Sequence, residues 1–306
     1  AVRLNAAVRA YLKKFTQSLP LIDMICQHFF AETPTFFALS YFGLYLDYRY
    51  PLGGTGVLPE QLGAVIRAAG GEVRTNAEIV RVSPAEHTAL LADGQSLSYR
   101  QLVWAADQTA LYRALTAPLP KKAQRQKALA ERSRGIDSIL TLFLGTSLPP
   151  EEVSAACGTH AFYTPSLVGL SALPAWQSLG ADIPALSRWV VSYLETTTFE
   201  ISVPSLRDAH LAPAGKTGLV VSTLFDYSLV KLFADAGAYD AFKQLATDTI
   251  LRVLGERVFP NLAQRIEFSL CSTPLTIERE TGSREGAITG WAHTNHPIPA
   301  IHEFGS

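Results

Sequence analysis

Tyr48-Arg49-Tyr50-Pro51-Leu52-Gly53-Gly54-Thr55-Gly56-Val57-Leu58-Pro59 is the stretch around which the chain is organised. An aromatic run stops at a proline, three glycines follow within four residues, and an amphipathic pattern then begins. Without Cβ atoms, such a turn lets the backbone approach a ligand or another segment closely. A helix over about 59–69 directs its free N–H groups back at that turn, where an anion or dipole is favoured. The spacing fits neither the Walker nor the dinucleotide glycine pattern. Taken alone, a plain structural turn accounts for it better than a binding turn does.

Beyond the turn the hydrophobic period changes. Gly70-Gly71 closes the helix as a C-cap would. Glu72 to Asn76 reads as a short strand, and Glu78-Ile79-Val80-Arg81-Val82 as a second. Thr88 to Leu91 and Ser96 to Tyr99 flank Ala92-Asp93-Gly94-Gln95, an Asp-Gly hairpin signal. Gln101-Leu102-Val103-Trp104-Ala105-Ala106-Asp107 then reads as an apolar strand closing on small residues, before a helix over 108–115. In α/β folds a buried strand ending this way before a helix is a common nucleotide position.

On the other side of the turn, residues 1–46 read as helical. Leu4, Val8, Tyr11, Leu12 and Phe15 follow the 3.6 period, and apolar runs cover 21–30 and 36–46. Phe29, Phe30, Phe36, Phe37, Tyr41, Phe42 and Tyr45 crowd many rings together. They form either a helical core or the wall of a pocket for a long apolar ligand. Residues 118–290 carry strands at about 136–146, 160–164, 199–203, 217–225 and 267–272, with helices near 184–193 and 239–254. The basic stretch from Lys121 to Arg134 reads as a solvated helix face. Strands and helices without strict βαβ alternation predict a mixed α+β and α/β chain with an antiparallel or mixed sheet backed by helices.

Composition narrows the classes. The chain has 306 residues, 48% of them apolar and 17% charged, and no apolar run is long enough to span a bilayer. Lys and Arg (26) balance Asp and Glu (27), which argues against a nucleic-acid partner. Cys26, Cys157 and Cys271 are far apart and odd in number, and read as free thiols in a reducing, cytoplasmic compartment. The histidines form no metal signature; His293 and His296 lie three apart among prolines, and no metal is expected.

Four blocks in order, over residues 48–291, resemble the phytoene-desaturase and carotenoid-isomerase family of FAD-dependent, amine-oxidase-like oxidoreductases. They are Tyr50 to Gly56, Gly70 to Val82 with Asp93-Gly94 and Leu102 to Asp107, Phe199 to Asp208 with Leu211 to Lys216, and Thr273 to Trp291. The resemblance implies FAD as cofactor and redox or isomerisation chemistry at a C–C bond of a long apolar substrate. Members open with a GxGxxG unit and end with a glycine-rich FAD segment, and neither motif occurs in this sequence. The chain is therefore expected to be the central part of such an enzyme. The expected division is a helical part of the substrate domain at 1–50, an incomplete FAD-binding α/β domain at 51–117, the substrate domain at 118–290, and a return towards the FAD domain at 291–306.

Residue roles follow where positions match. The resemblance assigns cofactor binding to Gly53, Gly54 and Gly56 in the turn, Ile79 and Val80 on a strand, and Ala105 and Ala106 at the next strand's end. Each also has a purely structural reading, as turn, core strand or tight packing point. Tyr50 and Trp291 are the candidate substrate-facing aromatics. Asp47, Arg49, Arg279 and Glu280 flank the motifs and serve either to orient a ligand or as ordinary ion pairs. No catalytic side chain stands out; in flavin chemistry the cofactor itself carries the hydride. The implied partners are an apolar small molecule and a peripheral membrane surface. The alternative is a non-catalytic module, for apolar-ligand or protein binding, that kept the fold and lost the cofactor.

Overall fold

The computed structural model describes residues 6–44, 48–116 and 118–295. The sequence readings for Leu4, Phe42, Tyr45, Leu46, Asp47 and His296 lie wholly or partly outside what is described. Three helices open the chain, α1 (Val8–Leu12), α2 (Leu19–Cys26) and α3 (Thr35–Leu44), followed after the glycine turn by α4 (Val57–Ala68). Gly71 N–H donates to Ile66 O and Gly70 N–H to Arg67 O, the nested pair of a Schellman stop for α4.

Strands β1 (Ile79–Ser83), β2 (Thr88–Leu91) and β3 (Ser96–Ser98) form a small antiparallel sheet in that order. Two expected strands are not formed. Asn76 adopts φ 54°, which breaks the extended run that 72–76 would need. Residues 101–105 form no regular element and pair with no strand among the described residues, and Val103 is 87% exposed. Helices α5 (Gln108–Ala114) and α6 (Lys121–Arg132) follow.

The second sheet holds β4 (Ser138–Thr146), β5 (His160–Tyr163), β6 (Phe199–Ser202), β7 (Thr217–Phe225) and β8 (Ile266–Ser272), in the order β5-β6-β7-β4-β8. Every pairing in it is antiparallel. Helices α7 (Pro150–Cys157), α8 (Ile183–Leu194), α9 (Tyr227–Asp235), α10 (Tyr239–Arg257) and α11 (Pro274–Thr281) lie between or after these strands. Alternation along β4 and β7 puts Leu140, Leu142, Leu219 and Val221 on one face, where they meet Leu186 and Val190 of α8 and Phe242 and Ile250 of α10. Burying each such side chain stabilises the fold by roughly 1.5–3 kcal/mol, so this face is the main core.

The opposite face takes the end of α2. Thr198 Oγ1 donates to Gln27 Oε1 at 2.6 Å, and His28 stands edge-on to Phe162 at 4.3 Å. Asp23, fully buried in α2, pairs with Arg9 Nη1 at 2.6 Å and accepts the Ser171 amide and hydroxyl. Burial alone would push its carboxyl up; the Ser171 and Arg9 donors outweigh that and hold it below the usual carboxylate range. Asp107 supplies a second long-range tie. It caps α5 by accepting the Thr109 and Ala110 amides, and its other oxygen accepts Arg284 N–H at 3.3 Å.

Two predictions follow from these carboxylates. Because the folded-state carboxyl of Asp23 is depressed, its stabilisation is present above the ordinary carboxylate pKa and lost as pH falls through the lower folded value. Asp23→Asn should cost about 1–3 kcal/mol at neutral pH, with the gap to wild type closing in acid; urea unfolding at pH 7 and pH 3 reads this, and a pH-independent gap would refute it. Asp107→Ala should cost about 1–2 kcal/mol as a lost cap, and should also speed proteolysis within 283–292. Unchanged cleavage there would mean that the Arg284 contact is not a tether.

Candidate functional site

Four segments distant in sequence converge beside Asp107. Trp104 Nε1 donates to Asp107 O at 2.9 Å and so ties down the irregular segment that carries Ala105 and Ala106. The Arg284 guanidinium donates to Ala130 O and Glu131 O, both at 2.9 Å, closing the C-terminal end of α6. Gly135 bridges to Trp291, with Ile136 N–H on Gly290 O at 2.8 Å and Ala292 N–H on Arg134 O at 3.1 Å. Together they bound a cleft of about 420 Å³ lined by Ala105, Ala106, Gly135, Arg284, Gly290 and Trp291. At the Asp107 carboxyl, burial opposes ionisation, but the Thr109 hydroxyl and the Ala110, Arg284 and Thr109 amides together hold it below its ordinary pKa. It is an anion fixed in place, with its oxygens spent on the protein.

A second cavity, of about 450 Å³, lies on the other side of the 134–138 strand entry. Phe29, Phe30, Trp176, Trp189 and Tyr193 give it aromatic walls, and Gln27, Asp137 and Asp226 add polar edges. Trp189 stacks on Tyr193 at 5.1 Å between centroids, and Tyr193 OH donates to Leu224 O at 2.7 Å. Gly135 lines both cavities, so the backbone there is the partition between them. A Cβ on Gly135 would meet Arg284 O at 2.6 Å and Ala287 Cβ at 2.9 Å. Only glycine permits the two walls to approach so closely.

The glycine turn sits elsewhere. Gly53 and Gly54 adopt φ 87° and 88°, Gly53 N–H donates to Asp208 Oδ2 at 2.6 Å, and Gly54 N–H donates to Pro51 O at 3.1 Å. Both amides are therefore committed within the protein, and neither is left for an anion. Asp208 Oδ1 takes the His210 amide and faces its Nδ1, each at 3.0 Å. The Gly53 amide, with His210, lowers the Asp208 carboxyl pKa. Leu211 and Tyr50 are the nearest side chains to the open side of Gly54. Gly56 is exposed, and Tyr50, Gly53, Gly54 and Gly56 are absent from the lining of the small cleft.

The remaining sequence candidates also find places. Ile79 is half-buried and, like Trp104, packs on the small cluster of Val82, Ala89 and Ala114. Val80 lies at a register shift in β1 and is 45% exposed. β1 is an edge strand; its outer side is used at Val82, by Leu115 and the Thr116 amide. Ala105 and Ala106, read as the buried end of a strand, are exposed because that strand is not formed. Arg279 and Glu280 form an exposed ion pair at 2.7 Å. The structure thus brings Ala105, Ala106 and Trp291 together. Sequence reasoning missed Asp107, Gly135, Asp208 and Arg284. Asp107 directly before a helical pattern was a readable N-cap signal, whereas the other contacts span more than a hundred residues.

Similarity to known proteins is consistent across sequence and structure. All-trans-retinol 13,14-reductase from Danio rerio is 24% identical over 267 residues, covering 82% of this chain and 42% of that protein. An oxidoreductase from Methanosarcina mazei superposes with a TM-score of 0.57 at 15% identity, over 87% of this chain and 56% of its own. A reduced UDP-galactopyranose mutase superposes with a TM-score of 0.50 at 12% identity, over 88% and 54%. The chain thus spans less than two thirds of each of these relatives, and the structural likenesses establish the fold, a mixed α/β chain. The sequence profile of flavin-containing amine oxidoreductases matches residues 20–229, more than half of the chain, and the chain belongs to that family.

Proposed function

We propose that this chain forms the substrate-facing and part of the cofactor-facing region of an FAD-dependent oxidoreductase. Its reaction would saturate, desaturate or isomerise a C–C bond of a long apolar, retinoid- or carotenoid-like molecule. The observation that carries this reading is the pair of cavities sharing Gly135 as their partition, one walled by small residues and Trp291, the other by aromatic rings. Redox transfer needs a cofactor and a substrate held close while kept apart from other chemistry. A glycine partition allows that proximity. The retinol reductase likeness supports the substrate class.

The residues fit FAD in part. Ala105, Ala106, Gly290 and Trp291 present small and flat surfaces suited to a planar group, and the edge of β1 at Ile79 and Val80 offers backbone donors and acceptors. The turn at Gly53 and Gly54 does not suit the diphosphate, because both amides are used internally. When bound, the flavin supplies hydride or electron-pair transfer. The chain's own part is positional. Asp107 and Arg284 hold the cleft walls, Trp291 would flank the cofactor's ring system, and Trp189, Tyr193 and Phe29 line the aromatic-walled chamber.

The helices at the start of the chain extend the reading to a membrane-fed substrate. Phe15 (71%), Leu39 (53%), Leu44 (66%) and Phe36 (48%) are exposed, a larger apolar display than a helical core leaves. No described helix is long and apolar enough to cross a membrane, so contact would be peripheral.

Two outcomes are expected. Protein carrying these residues, mixed with FAD and gel-filtered, should retain a visible flavin band, and Ala106→Leu should weaken FAD binding at least about tenfold with little change in stability. No band from a longer protein that joins this region to a GxGxxG unit would favour the non-catalytic module instead. In liposome flotation the protein should rise with the vesicles, and replacing Phe36 and Leu39 with serine should return it to the soluble fraction; wild type staying soluble would remove the membrane-fed substrate.

A further inference from the structure

Arg207 stands out among the described cations. Its guanidinium lies 4.8 Å above the Tyr48 ring, and its Nε is buried with no hydrogen-bond partner. Among the described residues its guanidinium makes no ion pair or hydrogen bond, and only its backbone amide is engaged, on Pro204 O at 2.9 Å. The carboxylate next to it in sequence is taken. Asp208, the next residue, spends Oδ2 on Gly53 and Oδ1 on His210. Glu200 Oε1 lies 3.3 Å from His160 Nε2, and the charge on Arg207 adds to burial in lowering the His160 pKa. A buried Nε without a hydrogen-bond partner costs free energy. Its position over the Tyr48 ring leaves its terminal N–H groups to fork an oxyanion.

The surroundings describe the rest of that ligand. Tyr50 and Leu211 flank the glycine turn that Asp208 anchors, Leu211 is 38% exposed, and Leu52 on the same turn is 75% exposed. His28, Phe162 and His160 continue as an aromatic run from Tyr48 towards α2. Cation and apolar surface therefore adjoin. We infer that Arg207 is a specificity-determining residue that binds the oxyanion end, a carboxylate or a phosphate, of an otherwise apolar ligand. This deepens the proposed function and rests on its apolar-substrate reading.

Matched ligands test it. Tryptophan fluorescence titrations of wild type, Arg207→Gln and Arg207→Lys with all-trans-retinoate and all-trans-retinol separate head group from tail. Wild type should bind the acid about tenfold tighter than the alcohol. Arg207→Gln should erase that preference while leaving the alcohol unchanged, and Arg207→Lys should keep part of it, since charge remains and the fork is lost. Repeating the wild-type titration with dodecyl phosphate against dodecanol distinguishes a phosphate from a carboxylate as the preferred head. Equal affinities for acid and alcohol in wild type, with both phosphate and carboxylate arms flat, would overturn the role of Arg207 alone. A wild type that binds none of the four would overturn the apolar-substrate reading beneath it.

Discussion

The contact on which the candidate site depends is the Asp107 carboxylate, which caps α5 with one oxygen and holds the Arg284 amide with the other. A cap stabilises a helix locally. This one also joins two segments 177 residues apart, and through Arg284 it reaches the carbonyl end of α6. Removing it would leave Ala105 and Ala106 on an irregular segment secured by Trp104 alone, among the described contacts. The cleft is thus made by hydrogen bonds between loops, and the apolar core of the large sheet serves as its rigid backing.

The same logic recurs at the glycine turn. Asp208 orders a short helical turn through His210 and reaches across to Gly53. Asp23 does so in the interior, joining α1, α2 and the turn at Ser171. In each case a carboxylate with fixed donors positions a segment that hydrophobic burial cannot place, because the segment itself is exposed or rich in small residues. Held as anions by their donors, these groups position neighbours and are unsuited to proton transfer. That agrees with a chemistry in which the cofactor carries the electrons.

Much of the fold was legible in the sequence. β4, β6, β7, α8 and α10 announced themselves by period and composition, since their buried faces dominate the pattern. The failures have separate causes. Helix α11 was hidden inside a Thr-Pro motif, where a capping box between Thr273 and Thr276 starts only two turns of helix. The run 101–107 carried a buried strand's composition, yet a strand needs a neighbour, and the described residues place none beside it. At the site, residue types marked Ala105, Ala106 and Trp291, but their meeting depends on backbone bonds from Gly135 and Ile136, which no local pattern encodes. Arg207 is similar. It lies inside the Phe199–Asp208 block, yet nothing in that block singled it out, and its significance comes from what fails to pair with it in space.

The central claim is that the Ala105–Trp291 cleft is where the flavin cofactor meets this chain. Hydrogen exchange with and without FAD, resolved to peptides, tests it most directly. The account predicts slower exchange confined to peptides covering 104–108, 133–136 and 287–292, with the core strand β7 unchanged. Protection elsewhere, with those peptides exchanging at the same rate in both states, would contradict it.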